Sequence, residues 1–341
     1  MNKDPFNKPL VSVILVTYNQ KMYIGKAIES ILMQECGFDF ELLIGDDAST
    51  DGTLEICRHY RDENPQRIQL HANAENKGFL NNYFDLLSKA RGTYLADCGG
   101  DDYWLDPKKL DKQVGFLESH PNYGMATGNW LILNESDQSQ EYPKSHVAEG
   151  WDDALMTGKE AVAHYIHGNR IPKVLLAAAC FRKDWVMEAY QKRMDLFRGQ
   201  FATCEDLPIT LSLLIKGPIY VFPDTFAVYR LLKNSVSHSE NTTEWIQTFY
   251  FRTYQQTCLL ALHYQIPTQR IASYIQSQSN NFALHAFLSN SSSFMDQLLD
   301  FHQKSQLPIG FKMRYFHRLI HFPSGIQKAL RYFLSKYYES K

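Results

Sequence analysis

The sequence predicts an α/β fold, a mostly parallel sheet flanked by helices, with a helical C-terminal extension. Three observations predict it. Short and almost wholly apolar strand-like runs alternate with helically spaced apolar residues from Val11 to Cys98, as in parallel sheets covered on both faces. Polar, turn-forming clusters follow those runs rather than interrupting them. Beyond Glu240 the strand-like runs stop, and amphipathic helical spacing continues alone.

Val11–Val16 and Phe40–Gly45 read as the first two strands, with Tyr23, Ile24, Ala27, Ile28, Ile31 and Leu32 forming a helical face between them. Ser49–Thr53 opens a second helix carrying Leu54, Ile56, Cys57 and Tyr60, with Thr50 or Asp51 as its cap. Ile68–His71 reads as strand, Phe79–Ala90 as helix and Tyr94–Cys98 as the fourth strand, ending in Gly99-Gly100. Gly124–Asn134 is strand-like, and Glu135–Trp151 is a polar loop long enough to be functional. Next come a helix near Gly158–Ile166, the apolar run Val174–Phe181, a helix over Trp185–Arg193 and the polar stretch Asp195–Cys204. Asp206–Ile215 reads as helix, Ile219–Phe222 and Phe226–Arg230 as two short strands. Helical stretches then run through Tyr264 and again from Asn280. The boundaries that follow are 1–240 for the α/β domain and 241–341 for the helical region.

The balance of 35 Lys+Arg against 37 Asp+Glu argues against a general nucleic-acid binder, which needs a basic surplus to neutralise phosphates. With 44% hydrophobic and 21% charged residues, usage is ordinary for a globular chain. Six scattered cysteines without a Cys-x-x-Cys pair read as reduced thiols. The opening MNKDPFNKPL has no apolar core of a leader, and the longest apolar run, Val174–Phe181, is too short to span a bilayer. A cytoplasmic protein, free or peripheral at the inner membrane face, is expected.

Right-handed crossovers put every strand-to-helix loop on one sheet edge, where ligands of open α/β sheets bind. Thr17-Tyr18-Asn19, Asp46-Asp47 and Asp101-Asp102 fall there, after the first, second and fourth strands. Adjacent carboxylates repel unless a cation or donors offset them. A hard divalent ion that also takes phosphate oxygens suits Asp101 and Asp102. The competing role, a helix cap, is already served by Asp106 before Pro107. For Asp47, accepting from the ring N–H of a base while Tyr18 offers a stacking face stands open beside a plain capping turn. Glu205-Asp206 precedes an apolar helix, so a cap and a general base are both open. Gly-x-Gly-x-x-Gly and Walker-type loops are absent. Among the twelve histidines, which lack metal spacing, His238 stands out within Asn234–Ser239.

Together these segments resemble the inverting family 2 glycosyltransferases of the GT-A fold, in their bacterial surface-polysaccharide branch. Pro9–Asn19 is similar to that family's opening strand, Ala27–Gln34 to its first helix and Leu43–Thr53 to its second-strand motif. Asn76-Lys-Gly78 and Gly92–Ala96 match further on, and Gly100–Trp104 with Asp106–Leu110 resembles its acidic metal motif. The resemblance is specific over residues 8–120 and extends to about Arg230. It implies transfer of a sugar, with inversion, from a nucleotide-diphosphate donor (a UDP-sugar favoured) to a hydroxyl of a glycan or lipid-linked acceptor, in cell-surface polysaccharide synthesis. A divalent metal, Mn2+ or Mg2+, is the implied cofactor, with Asp101 as ligand and Asp102 in support. The implied donor contacts are Thr17, Tyr18, Asn19, Asp47, Asn76 and Asp97, and Asp206 falls at the catalytic base. Where the family often has an acidic residue, two places before the metal Asp, this chain has Gly99, and Asp97 stands two further back as a ribose contact. Asn81-Asn82-Tyr83 occupies the stretch where a basic residue is frequent. A nucleotidyltransferase and a non-catalytic nucleotide-sugar-binding relative are the rival readings.

From Phe311 to Lys341, seven Lys/Arg and one acid are interleaved with aromatics. That composition suits an interfacial segment on an anionic membrane, and nearly as well a C-terminal helix packed on the domain or forming a homodimer seam.

Overall fold

The computed structural model describes residues 8–152, 156–232 and 242–339, with side chains described through 335. Contacts divide the chain into two units, Met1–Ser235 and Val236–Lys341.

In the first unit β1 (Val11–Thr17), α1 (Ile24–Leu32), β2 (Phe40–Asp46), α2 (Thr53–Glu63), β3 (Ile68–Ala72), α3 (Phe79–Lys89) and β4 (Tyr94–Asp97) alternate as the sequence predicts. They are followed by β5 (Tyr103–Trp104), α4 (Lys109–Ser119), β6 (Met125–Asn134), β7 (Gln140–Glu141), β8 (Trp151–Asp152) and α5 (Gly158–His167). A 3-10 turn at Leu176–Ala178 leads into β9 (Cys180–Arg182), α6 (Lys183–Lys192), α7 (Met194–Arg198), α8 (Asp206–Leu214) and β10 (Ile219–Leu231). One sheet runs β3-β2-β1-β4-β9-β6-β10-β5, with β7 added to β6 and β8 to β10. The four strands β3, β2, β1 and β4 are parallel, as are β6 and β10, whereas β9 is antiparallel to both its neighbours.

Every residue of β1 and β2 is buried, which explains their largely apolar character. The polar exceptions satisfy each other: Ser12 Oγ donates to Glu41 Oε1 over 2.6 Å, and Arg91 Nη2 donates to Glu41 Oε2 over 2.7 Å. Val13, Leu15, Ile28, Ile31, Ala96 and Leu110 belong to the core cluster that unites this half of the sheet with α1 and α4. At Gly45 an added Cβ would lie 2.5 Å from Asn82 Oδ1, so no side chain fits there. Asn82, in the stretch without the basic residue, instead donates from Nδ2 to Gly45 O over 2.8 Å and ties α3 to the end of β2.

Several expected boundaries are corrected. Ile219–Phe222 and Phe226–Arg230 form one strand, broken in appearance by Pro223, which lacks an N–H for the ladder. The register against β6 shifts between Val221 and Thr225 and again before Ala227. The apolar run Val174–Phe181, to which the sequence assigns no element, contains a 3-10 turn at Leu176–Ala178 and the start of β9. The polar loop after Asn134 carries β7, and the stretch after Arg193 carries α7. Gly52, at φ 100°, precedes the first residue of α2, where Asp51 Oδ1 accepts from Thr53 N over 2.9 Å. Asp106 Oδ1 accepts from Lys108 N over 2.7 Å in a turn ahead of α4 rather than as its immediate cap.

The second unit contains α9 (Thr242–Trp245), a π-helical turn at Ile246–Tyr250, α10 (Phe251–His263), a 3-10 turn at Thr268–Ile271, α11 (Ala272–Leu288), α12 (Ser292–Lys304), α13 (Phe311–Leu319) and α14 (Ser324–Glu339). The helix expected from Asn280 thus starts two turns earlier, at Ala272. Phe251, Tyr254, Phe282, Phe294 and Phe301 pack mostly edge to face at its centre.

Candidate active site

The three polar clusters meet at the carboxyl ends of the parallel strands. Thr17 O accepts from Asp47 N over 3.0 Å, Asn19 N donates to Ser49 Oγ over 2.9 Å, and Asn19 Oδ1 accepts from Thr50 N over 2.8 Å. The loops after β1 and β2 are therefore laced together. Both turn through left-handed residues that are not glycine, Asn19 at φ 52° and Ala48 at φ 64°, a conformation that costs about 1 kcal/mol or more and clusters at functional sites. The loop after β4 closes on the first: a Cβ on Gly100 would lie 2.4 Å from Gln20 Oε1 and 2.8 Å from Thr17 Cβ. Tyr18 is 48% exposed at this junction.

Asp46 and Asp47 divide the work of their turn. Asp46 Oδ1 accepts from Ser49 N over 3.1 Å. Asp47 reaches across to the loop after β3, accepting at Oδ1 from Asn73 Nδ2 (2.9 Å) and Lys77 N (3.0 Å), and at Oδ2 from Gly78 N (2.9 Å). Three donors leave a carboxylate room for about one more. Asn76 is exposed in the same loop and accepts from Gly78 N over 2.9 Å. Asp47 thus shapes the wall in which Asn76 sits, and both readings of this turn, cap and ligand contact, remain compatible with it.

Beyond Gly99 the site is acidic. A Cβ on Gly99 would lie 3.0 Å from Asp101 Oδ1 and 3.2 Å from Asp102 Oδ2, so both carboxylates flank the space left by the missing side chain. Burial, and then the Asp101 charge, pushes the Asp102 carboxyl well above the usual carboxylate range. Burial likewise raises Asp101, against donation from Gln20 and the charge of Arg230. Asp97, at the end of β4, is pushed to about 7 by burial and then by Asp206. Its Oδ2 is fully buried without a hydrogen-bond partner, and the Tyr83 hydroxyl lies in its surroundings. Glu205 is raised by burial and then by Asp206 and Asp97. Asp206 is raised to about 6 by burial, with Oδ1 accepting from Leu176 N over 3.0 Å.

Five carboxyls thus perturb one another, and the cations facing them are Arg230 and Lys109. Arg230 donates from its backbone N to Asp102 Oδ1 over 2.9 Å, and its guanidinium pairs with Glu135 between the rings of Tyr23 (5.1 Å) and Tyr103 (4.9 Å). Its buried Nε has no hydrogen-bond partner. The acids outnumber the cations, and the oxygen-only donors at Asp101 and Asp102 suit a hard divalent ion that fills its shell with water and phosphate. Among the described residues no three His, Cys, Asp or Glu side chains form a ready-made metal cluster.

Thr17, Tyr18, Asn19, Asp47 and Asn76 are brought to one rim, and Asp101 meets them through Gln20, with Asp102 beside it at Gly99. Asp97 joins Asp206 and Glu205 instead, toward α3 and α8. Arg230, Gln20 and Lys109 were not singled out by sequence. No local pattern marks Arg230 or Gln20, whereas Lys109 stood in a recognised segment, Asp106–Leu110, and its burial gave no sequence signal. His238 lies outside the described residues.

Strand order, the acidic rim and the lacing of the first two loops define the class: a GT-A glycosyltransferase fold. The sequence profile described as Glycosyl transferase family 2 matches residues 12–170. TuaG of Bacillus subtilis, named for teichuronic acid biosynthesis, is 31% identical over 234 residues, covering 68% of this chain and 83% of that one. The chain belongs to glycosyl transferase family 2. A Mycobacterium tuberculosis protein is 30% identical over 242 residues, and the aligned part spans 62% of that relative's length. In structure, TarS 1–349 of S. aureus, solved with UDP-GlcNAc, aligns over 97% of this chain and 92% of that one with a TM-score of 0.64 and 20% identity. The mannosyltransferase PcManGT of Pyrobaculum calidifontis, solved with GDP-Man and Mn2+, aligns over 96% and 87% with a TM-score of 0.52 and 18% identity.

Proposed function

We propose that this chain transfers a sugar, with inversion, from a UDP-sugar to a hydroxyl of a glycan or lipid-linked acceptor during cell-surface polysaccharide synthesis. The observation that carries the proposal is the meeting of the Thr17–Gln20, Asp47–Ser49 and Gly99–Asp102 loops at one sheet edge. The UDP-GlcNAc bound by TarS and the teichuronic acid role in the name of TuaG support the donor and pathway classes.

In this reading Tyr18 stacks on the base, and Asp47 offers its remaining acceptor position to a base N–H, with Thr17, Asn19 and Asn76 completing the pocket. Asp97 acts on the ribose side. Asp101 would hold a divalent cation, Mn2+ or Mg2+, with Asp102 in support, and when bound it would supply charge stabilisation for the departing diphosphate. Asp206 is the general base. It takes the proton of the acceptor hydroxyl as the oxygen attacks the anomeric carbon from the face opposite the leaving group. Its carboxyl titrates at about 6, close enough to neutrality for a base that must be ionised yet able to hold a proton. Hydrolysis of a panel of UDP-sugars, with and without Mn2+, tests the reading. Metal-stimulated release of UDP is expected, and no release or binding from any nucleotide sugar overturns it.

For the second unit we propose contact with an anionic membrane through α13 and α14. Phe311 is 74%, Tyr332 62% and Phe333 69% exposed, and Lys312, Arg314, Arg318 and Lys328 are exposed near them in sequence. Arg331 is otherwise engaged, packed 5.2 Å from the Phe287 ring and bonded to Asn290. Among the described residues no helix is long and apolar enough to cross a membrane. The full chain should float with anionic vesicles, and the triple variant Phe311→Ser, Tyr332→Ser, Phe333→Ser should not. Equal flotation favours a dimer seam.

A further inference from the structure

We infer that Lys109 and Gln113 of α4 are positioning residues for the base Asp206, acting through the 3-10 turn at Leu176–Ala178. Lys109 is fully buried, an expensive place for an ammonium unless it is paired. Its Nζ donates to Ala179 O over 2.9 Å and to Gln113 Oε1 over 3.0 Å, and lies 4.1 Å from the centre of the Trp104 ring. Gln113, one helical turn on, donates from Nε2 to Ala178 O over 2.7 Å. Two successive carbonyls of the segment are thus held by two buried side chains on one face of α4.

The same segment is closed by its own turn bonds, Ala178 N to Leu175 O (2.9 Å) and Ala179 N to Leu176 O (2.8 Å). Its first residue, Leu176, donates its N–H to Asp206 Oδ1 over 3.0 Å. That N–H engages Oδ1 of the carboxylate, and its aim helps to fix the carboxyl's orientation. Lys109 also bears on Asp97: its charge favours that carboxylate, and the Trp104 indole beneath its ammonium donates from Nε1 to the Asp97 backbone O over 3.2 Å. Burial depresses the Lys109 ammonium to about 8, against the raising influence of Cys180, Cys98 and Asp97. An apolar side chain could fill this space; what it would lack is the donor pair for Ala179 and Gln113 and the positive charge behind Asp97.

The inference rests on Asp206 being the base, and the test separates the two. Lys109→Met and Gln113→Met are compared with Asp206→Asn in the full-length chain, using the UDP-sugar that wild type hydrolyses fastest and UDP alone as the binding probe. Lys109→Met and Gln113→Met should each lower kcat on the order of 10–100-fold, the penalty of misplacing a catalytic group, with KM and the UDP-induced rise in Tm close to wild type. The acid limb of the kcat–pH profile should move to higher pH as the Asp206 carboxylate loses a well-aimed donor. Wild-type kcat in both variants, with Asp206→Asn inactive, overturns the positioning role and leaves the base assignment standing. Parallel losses of kcat and UDP binding overturn it as well, since they mark a general structural defect. Should Lys109→Met fail to fold, Gln113→Met decides, because it leaves the buried charge and its Ala179 bond in place. Full activity in Asp206→Asn removes the base and the inference with it.

Discussion

Asp102 and Arg230 are 128 positions apart, yet Asp102 Oδ1 accepts the Arg230 backbone N–H over 2.9 Å. One carboxylate oxygen fastens the acidic loop to the far end of β10, while the other, Oδ2, faces the space beside Gly99 and Asp101. Anchoring and chemistry are therefore separable at this residue. Asp102→Asn keeps an acceptor for Arg230 and is expected to hold its Tm while losing much of the Mn2+ stimulation of turnover. Asp102→Ala leaves a buried N–H unsatisfied and should cost a further 1–3 kcal/mol or so. Thermal denaturation and Mn2+ titration of the two variants make the comparison.

Asp206 must be ionised to accept a proton, and its carboxyl titrates at about 6. Turnover of wild type should therefore fall as pH drops through about 6, one decade per pH unit on the acid side. Asp206→Asn should lose about 100-fold or more in kcat with the UDP-induced thermal shift preserved. Steady-state kinetics across pH reads both.

Asp97 and Asp206 have folded-state pKa values of about 7 and about 6, above the ordinary carboxylate value of 3.8. Between those limits the folded chain holds more protons than the unfolded one, so their contribution to stability falls as pH rises. Without divalent metal, Tm is expected to decline from about pH 5 to about pH 7.5 more steeply in wild type than in Asp97→Asn. A steeper slope in the variant contradicts the burial argument. The same variant should also weaken UDP-sugar binding if Asp97 serves the ribose side, and unchanged affinity removes that role.

Gly99 is where the acidic loop has no room to spare. A Cβ there meets Asp101 Oδ1 at 3.0 Å and Asp102 Oδ2 at 3.2 Å. Gly99→Ala should weaken Mn2+ activation several-fold, on the order of 1 kcal/mol, and Gly99→Asp should weaken UDP-sugar hydrolysis more by adding a carboxylate to a crowded cluster. Mn2+ activation curves measure both.

Asp47 carries the Asn73–Gly78 loop through three hydrogen bonds. Asp47→Ala should lower stability by about 1 kcal/mol, since it removes the acceptor of three part-buried hydrogen bonds whose donors water or Asn76 partly satisfy, and abolish UDP binding. Asp47→Asn, which keeps one acceptor oxygen, should be intermediate in both thermal melts and UDP titrations.

Much of this protein was legible in its amino-acid order. The largely apolar runs Val11–Val16 and Phe40–Gly45 read as strands buried on both faces, and the helical spacing between them as a parallel crossover. Parallel order in turn sends Thr17, Asp47 and Asp101 to one edge, because that edge is where every such strand ends. Periodicity carries no register and no partner across a hundred residues, however. Only the tertiary structure decided that Pro223 bends one long strand rather than separating two, and that Tyr103–Trp104 pairs with its far end. It alone brought Arg230 to Asp102, turned Asp97 toward Asp206, and buried Lys109 behind both, since each of those contacts joins segments that a local pattern treats as strangers. The strands fixed where the acids could gather; packing chose which of them face one another, and burial then set how strongly each resists its charge.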